Sequence, residues 1–163
     1  MCIQPLTLET NGVYILLSDR GESSYSFHWA IYLAKSETDG IIFHIINPTG
    51  STDWQYVTET TSEVPESSRV VLGLQMGVLE PEFHDMFAER IAQVPIIGYS
   101  ARFHEAVSCR VWVKEALYLL DDEGFLKLSM GVEDVEREAT ILAIINKSRG
   151  ARTVALSGGG NLG

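Results

Sequence analysis

The chain is poor in cysteine: Cys2 and Cys109 are the two in 163 residues. That is too few for a disulfide framework and fits a reducing compartment. Positive charge is also scarce. Twelve basic residues face twenty-two acidic ones, for a formal net charge of −10, and no cluster of Lys and Arg stands out. A nucleic-acid groove needs a basic footprint, and so does docking on an anionic bilayer, so neither partner is expected. No apolar run approaches the length of a membrane span. The start, Met1-Cys2-Ile3-Gln4-Pro5-Leu6, has no basic segment followed by a long apolar one, so no secretory signal is expected. A phosphate-cradling loop is missing as well, because no helix follows Gly158-Gly159-Gly160. These absences leave a cytoplasmic protein whose partner is a small molecule, a peptide or a protein.

What is present suits a single globular domain. Hydrophobic residues make up 45% and charged residues 21%, ordinary values for a chain long enough to bury its own core. No internal repeat or linker divides it. One α+β domain is expected over residues 1–156. Residues 157–163, opened by Ser157-Gly158, offer nothing to a core and are expected to form a disordered tail.

The first half reads as β-structure. Strands are expected at Gly12–Leu17, around His28, at Ile41–Asn47, near Trp54–Val57 and at Arg69–Leu74. Asp39-Gly40 signals a hairpin between the second and third, and Glu59–Ser68 reads as a polar loop. The second half reads as helical. Pro81–Gln93 sets Phe83, Phe87 and Ile91 on one face. Cys109–Leu120 follows with Ser108 as its N-cap, and Glu133–Lys147 is closed by Gly150.

The stretch Phe27-His28-Trp29-Ala30-Ile31-Tyr32-Leu33 alternates, with Phe27, Trp29, Ile31 and Leu33 on one side and His28, Ala30 and Tyr32 on the other. The Asp39-Gly40 hairpin pairs it with a strand carrying His44, so the two histidines are candidate cross-strand neighbours. Cys109, opening a helix, is the candidate nucleophile. Helix N-terminal N–H groups and a nearby imidazole would activate it, and a strand histidine facing that helix would handle its proton.

At these residues the chain resembles the permuted NlpC/P60-type papain-like proteins. The likeness rests on His28-Trp29-Ala30-Ile31-Tyr32-Leu33, Ile42-Phe43-His44-Ile45-Ile46-Asn47-Pro48 and a distant Cys109 at a helix start. Within that group it looks most like the lecithin:retinol acyltransferase-like and PPPDE-type branches. The resemblance, over residues 12–120, implies an antiparallel sheet packed against helices in a circularly permuted papain-like order. It also implies thiol-based hydrolysis or acyl transfer on an amide, isopeptide, ester or thioester. In that scheme Cys109 is the nucleophile, His28 the base and His44 the residue that orients it.

Plainer readings stand beside this one. His28 and His44 also suit hydrogen-bonded structural roles, and Cys109 suits a small buried hydrophobe. His104 reads as part of a solvated loop, His84 as lying on the polar side of its helix, and Arg110 as a partner for a surface acid. Zinc is chemically compatible with His28, His44 and Cys109, but no close-spaced ligand pair accompanies them, so neither metal nor cofactor is expected. The rival functions are a non-catalytic binding module on the same fold, and an enzyme that uses His28 as acid or base with no covalent step.

Overall fold

Apolar alternation in the first half of the chain builds a sheet, and helical periodicity in the second half builds the layer that covers one side of it. The computed structural model describes residues 4–48 and 53–158. The strands are β1 (Gly12–Asp19), β2 (Phe27–Ala34), β3 (Gly40–Ile46), β4 (Gln55–Thr61) and β5 (Val70–Val78), then the two-residue pair β6 (Tyr99–Ser100) and β7 (Glu105–Ala106), and finally β8 (Thr153–Leu156). The helices are α1 (His84–Ile91), α2 (Cys109–Asp122) and α3 (Val132–Arg149). Six strands form one sheet in the order β4-β3-β2-β1-β5-β8. Neighbours are antiparallel except β8, which joins β5 in parallel after the α3 crossover. The protein is therefore an α+β domain with a mostly antiparallel six-stranded sheet.

The two faces of the sheet are covered differently. Phe27, Trp29, Ile31 and Leu33 of β2 join Phe43 and Ile45 of β3 in the main core, beneath Trp112, Val113, Ala116 and Leu120 of α2 and Val135 and Ala139 of α3. The opposite face, with Tyr14, Leu16, Ala30 and Tyr32, is only partly roofed, by Leu6, Leu8 and Val64. A helix laid on a sheet covers its bulkier apolar side, which here is the Trp29 side.

The β2–β3 hairpin forms where Asp39-Gly40 places it: the N–H groups of Lys35 and Ser36 both donate to the Asp39 carbonyl, at 2.8 and 3.1 Å. Gly40 is required there by close approach, because a Cβ would overlap the Tyr32 ring and hydroxyl.

Several sequence expectations need correction. The segment read as a polar loop from Glu59 begins inside β4, which runs to Thr61. Phe83 lies on a 3₁₀ turn, 41% exposed, and only Phe87 and Ile91 of the expected trio are buried. His84 is buried: its Nε2–H donates to the Leu79 carbonyl at 2.8 Å, and its Nδ1 accepts from Lys35 Nζ at 2.9 Å. Strand β8 carried no sequence signal strong enough to name it. Asn146 of α3 fastens it, with Nδ2 donating to the Val71 carbonyl and to Thr153 Oγ1, both at 2.8 Å. Just beyond, Glu138 accepts from Ser157 Oγ at 2.6 Å and from the Gly158 N–H at 2.8 Å, so the start of the expected tail is held. Cys2 and residues 159–163 lie outside the described residues.

A charged cluster fixes the start of α2. Lys114, buried, lies 2.9 Å from Glu105 of β7 and 3.0 Å from Glu136 of α3. Arg110 pairs with the same two carboxylates, so its charge is already matched.

Candidate functional site

His28 is the second residue of β2, opposite Ser18 of β1. His44 lies opposite Val57 of β4. The Ile31–Phe43 pairing, continued by one residue, sets His44 beside Ala30. The methyl of Ala30 leaves the space above it open. The two imidazoles meet there on the diagonal, His28 Nε2 2.7 Å from His44 Nδ1, with their rings edge to face at 70°. Glu59, two residues along from the partner of His44, brings Oε1 to 3.6 Å from His44 Nε2. That separation is too long for a direct hydrogen bond, and the buried Nε2 has no hydrogen-bond partner.

The charge of Glu59 orders the protons along this chain. A carboxylate beside His44 Nε2 favours a proton on that nitrogen, which leaves Nδ1 as an acceptor. His28 then donates from Nε2, and its Nδ1 carries the free lone pair. Burial pushes His28 down to about 4, with the neighbouring His44 and Arg20 lowering it further. Burial also lowers His44, against the pull of Glu59. His28 is thus a neutral imidazole at neutral pH.

These residues line a groove of about 670 Å³. Its floor is the sparse face of the sheet (Leu16, Ser18, Ala30 and Ile42), and Arg20, Arg69 and Glu63 stand on its rim.

Cys109 is where the sequence places it, the first residue of α2. Ser108 caps the helix, its Oγ accepting from the Val111 N–H at 3.2 Å. The thiol does not face His28. It belongs to the Trp29 side of the sheet, 2% exposed, in the main core. It borders a separate groove of about 530 Å³ beside Phe27, Trp29 and Tyr25. Its hydrogen bond comes from Arg20, Nη2 to Sγ, 3.3 Å. The expected meeting of thiol and imidazole across the sheet–helix seam is corrected for a simple reason. Side chains alternate along β2, α2 covers the odd-numbered side, and His28 is even-numbered. Arg20, just past the end of β1, reaches both grooves.

His104 adopts a left-handed backbone (φ 58°) on an exposed loop and joins neither groove. Sequence reasoning missed Glu59, Arg20 and Arg69. Glu59 was legible in principle: once β4 is extended beyond Val57, alternation puts residue 59 on the His44 face. Arg20 and Arg69 sit in turns, where no periodicity reports direction. Among the described residues no group of three His, Cys, Asp or Glu side chains is placed to hold a metal ion.

The depressed His28 value makes a stability prediction. The unfolded chain takes up this proton near pH 6.5, the folded one only near 4. Stability from keeping His28 neutral is therefore present above pH 6.5 and is lost as pH falls towards 4. The shift corresponds to about 3 kcal/mol. In urea unfolding, wild type should lose more stability than His28→Gln between pH 7 and pH 4. Parallel losses would contradict a neutral, half-buried His28.

In comparison with known proteins, a family model described as "Family of unknown function (DUF6540)" matches residues 13–127. No curated protein and no solved structure matches the chain.

Proposed function

The chain belongs to DUF6540, a family of unknown function, and we propose from its own site that it is a hydrolase or acyl-transfer enzyme with His28 as general base. The observation that carries this is the chain Glu59–His44–His28, ending on a nitrogen, Nδ1, with no hydrogen-bond partner among the described residues, in an open groove. His28 Nδ1 takes the proton of a water or hydroxyl as its oxygen bonds to a carbonyl carbon. The imidazolium returns that proton to the leaving oxygen, nitrogen or sulfur as the old bond breaks. His44 and Glu59 hold the ring and offset the positive charge it acquires, the office of the third group in a nucleophile–base–acid set. The resemblance to permuted papain-like enzymes implies hydrolysis or acyl transfer with a thiol nucleophile, so it shares the reaction class with this reading but not the attacking atom.

A second reading keeps Cys109 as the nucleophile. It is favoured by the Arg20 N–H directed at the sulfur and by the position of the thiol at a capped helix N-terminus beside a groove. Both features are those of reactive thiols. The order His28, His44, Cys109 along the chain is the order that a circularly permuted papain-like ancestry would leave.

One experiment separates the two. Wild type and Cys109→Ser are assayed on a panel of small amides, esters and thioesters. Retained turnover in Cys109→Ser supports the histidine reading. Its loss, with trapping of an acyl group on Cys109 in wild type, supports the thiol reading. No turnover of any panel member by wild type would leave the protein a binding module and overturn both.

A further inference from the structure

Arg20 and Arg69 are an unusual pair in this chain. Acids outnumber bases by twenty-two to twelve, and four of the eight arginines pair with carboxylates: Arg90 with Glu123, Arg102 with Glu115, Arg110 with Glu105 and Glu136, Arg137 with Asp134, while Arg152 gives its N–H groups to the carbonyls of Val70, Gln4 and Pro65. Arg20 and Arg69 have no carboxylate within ion-pair distance among the described residues, yet both line the His28 groove. They leave the sheet side by side, because the Asp19 N–H donates to the Arg69 carbonyl at 2.8 Å.

The nearest acid is already engaged. Asp19 accepts from Lys147 Nζ at 2.9 Å, and that bond, more than the charge of Arg69, holds its carboxyl below the usual range. Glu22, on the same loop, accepts from Ser24 Oγ at 3.2 Å. Of the remaining lining carboxylates, Glu59 is on β4, and Glu63 lies beyond the end of that strand, in the segment that returns to β5. In sheet order β4 is three strands from β1 and four from β5, roughly 14 and 19 Å at the usual strand spacing. The groove therefore carries both guanidinium groups on its β1–β5 side, beside Asp19 and Glu22, and Glu59 on its β4 side, with the two imidazoles between. Arg20 gives one N–H to Cys109 and keeps four more to offer.

We propose that Arg20 and Arg69 form the seat for an anionic group, carboxylate or phosphate, of the substrate on which His28 acts. This rests on the reading of the His28 groove as the active site. It names the substrate class: a small molecule or peptide end with an anion on the β1–β5 side of the bond that reacts. An anion seated there also offsets the positive field of Arg20 on His28 and returns basicity to its ring.

The test uses sodium phosphate and N-acetylglycine as probes at constant ionic strength, read by NMR of the arginine Nε–H groups and the His28 ring. Expected are saturable shifts at Arg20 and Arg69 and an upward move of the His28 titration midpoint. Apparent affinity should fall about tenfold or more in Arg69→Gln and in Arg20→Gln, with Arg137→Gln as an unaffected control. Arg69 is exposed, so its variant is expected to fold even if Arg20→Gln, which loses the thiol contact, does not. Saturation by phosphate alone or by N-acetylglycine alone supports the seat and tells which anion it takes. Absence of saturation with either probe, or saturation indifferent to Arg69→Gln, overturns it. Titration of His28→Ala keeps the two claims apart: binding that persists there without turnover leaves the seat standing whatever becomes of the base.

Discussion

Replacing His28 with alanine is expected to lower turnover by about 10²–10⁴-fold, the usual cost of removing a positioned general base. The fold should survive, because His28 is the second residue of β2 and its Nδ1 bonds to no described residue. Glu59→Gln should cost less than tenfold, since the carboxylate stands 3.6 Å from His44 and is half exposed. The pH dependence is distinctive. With His28 at about 4 in the free enzyme, kcat/KM should be level from neutrality down to mild acid and fall only as pH passes through that value. A fall centred near 6.5 would mean an unperturbed histidine. Full turnover by His28→Ala on a substrate that wild type cleaves would remove the base from the mechanism.

The second large effect concerns stability. Lys114 is almost wholly enclosed, its side chain 3% exposed, and its charge is met by Glu105 and Glu136. Changing both glutamates to glutamine leaves a buried ammonium beside Arg110 without a counter-ion. This should cost about 3–5 kcal/mol, the range found when one side of a buried pair is removed. Lys114→Met should cost much less, because the two glutamates keep Arg110 and reach water. Chemical denaturation of the three proteins checks this, and a double variant as stable as wild type would refute it. Acid acts on the same cluster. Glu105 is held at about 2, first by its hydrogen bond from Arg110, against burial and with help from Lys114. Its contribution is therefore complete above the usual carboxylate range near 4.5 and is lost as pH drops towards 2.

Much of this architecture was legible in the sequence, and where it was not the reasons are physical. Alternation named β2 and β3, Asp39-Gly40 named their turn, and Ser108 and Gly150 marked a helix start and a helix end. The closeness of His28 and His44 followed from the hairpin. The error lay in which face of β2 the helix covers. The pattern held the answer, since Phe27, Trp29, Ile31 and Leu33 outweigh Ala30 and Ala34 as a surface for α2. A strand histidine facing the helix is therefore not what forms: His28 and the space over Ala30 belong to an open groove on the other side. Strand β8 was hidden because four residues, partly exposed, carry no period of their own. Its place depends on Asn146, seven residues before Thr153 and far from Val71 in sequence. Arg20 and Arg69 were hidden because a long side chain leaving a turn can point anywhere.

The contact between Arg20 and the Cys109 sulfur has a practical corollary for chemical screening. A compound that alkylates this thiol would dislodge a guanidinium that also borders the histidine groove on the far side of the sheet. Such a compound would act as a remote inhibitor, so loss of activity on thiol capture would not by itself identify the sulfur as the attacking atom.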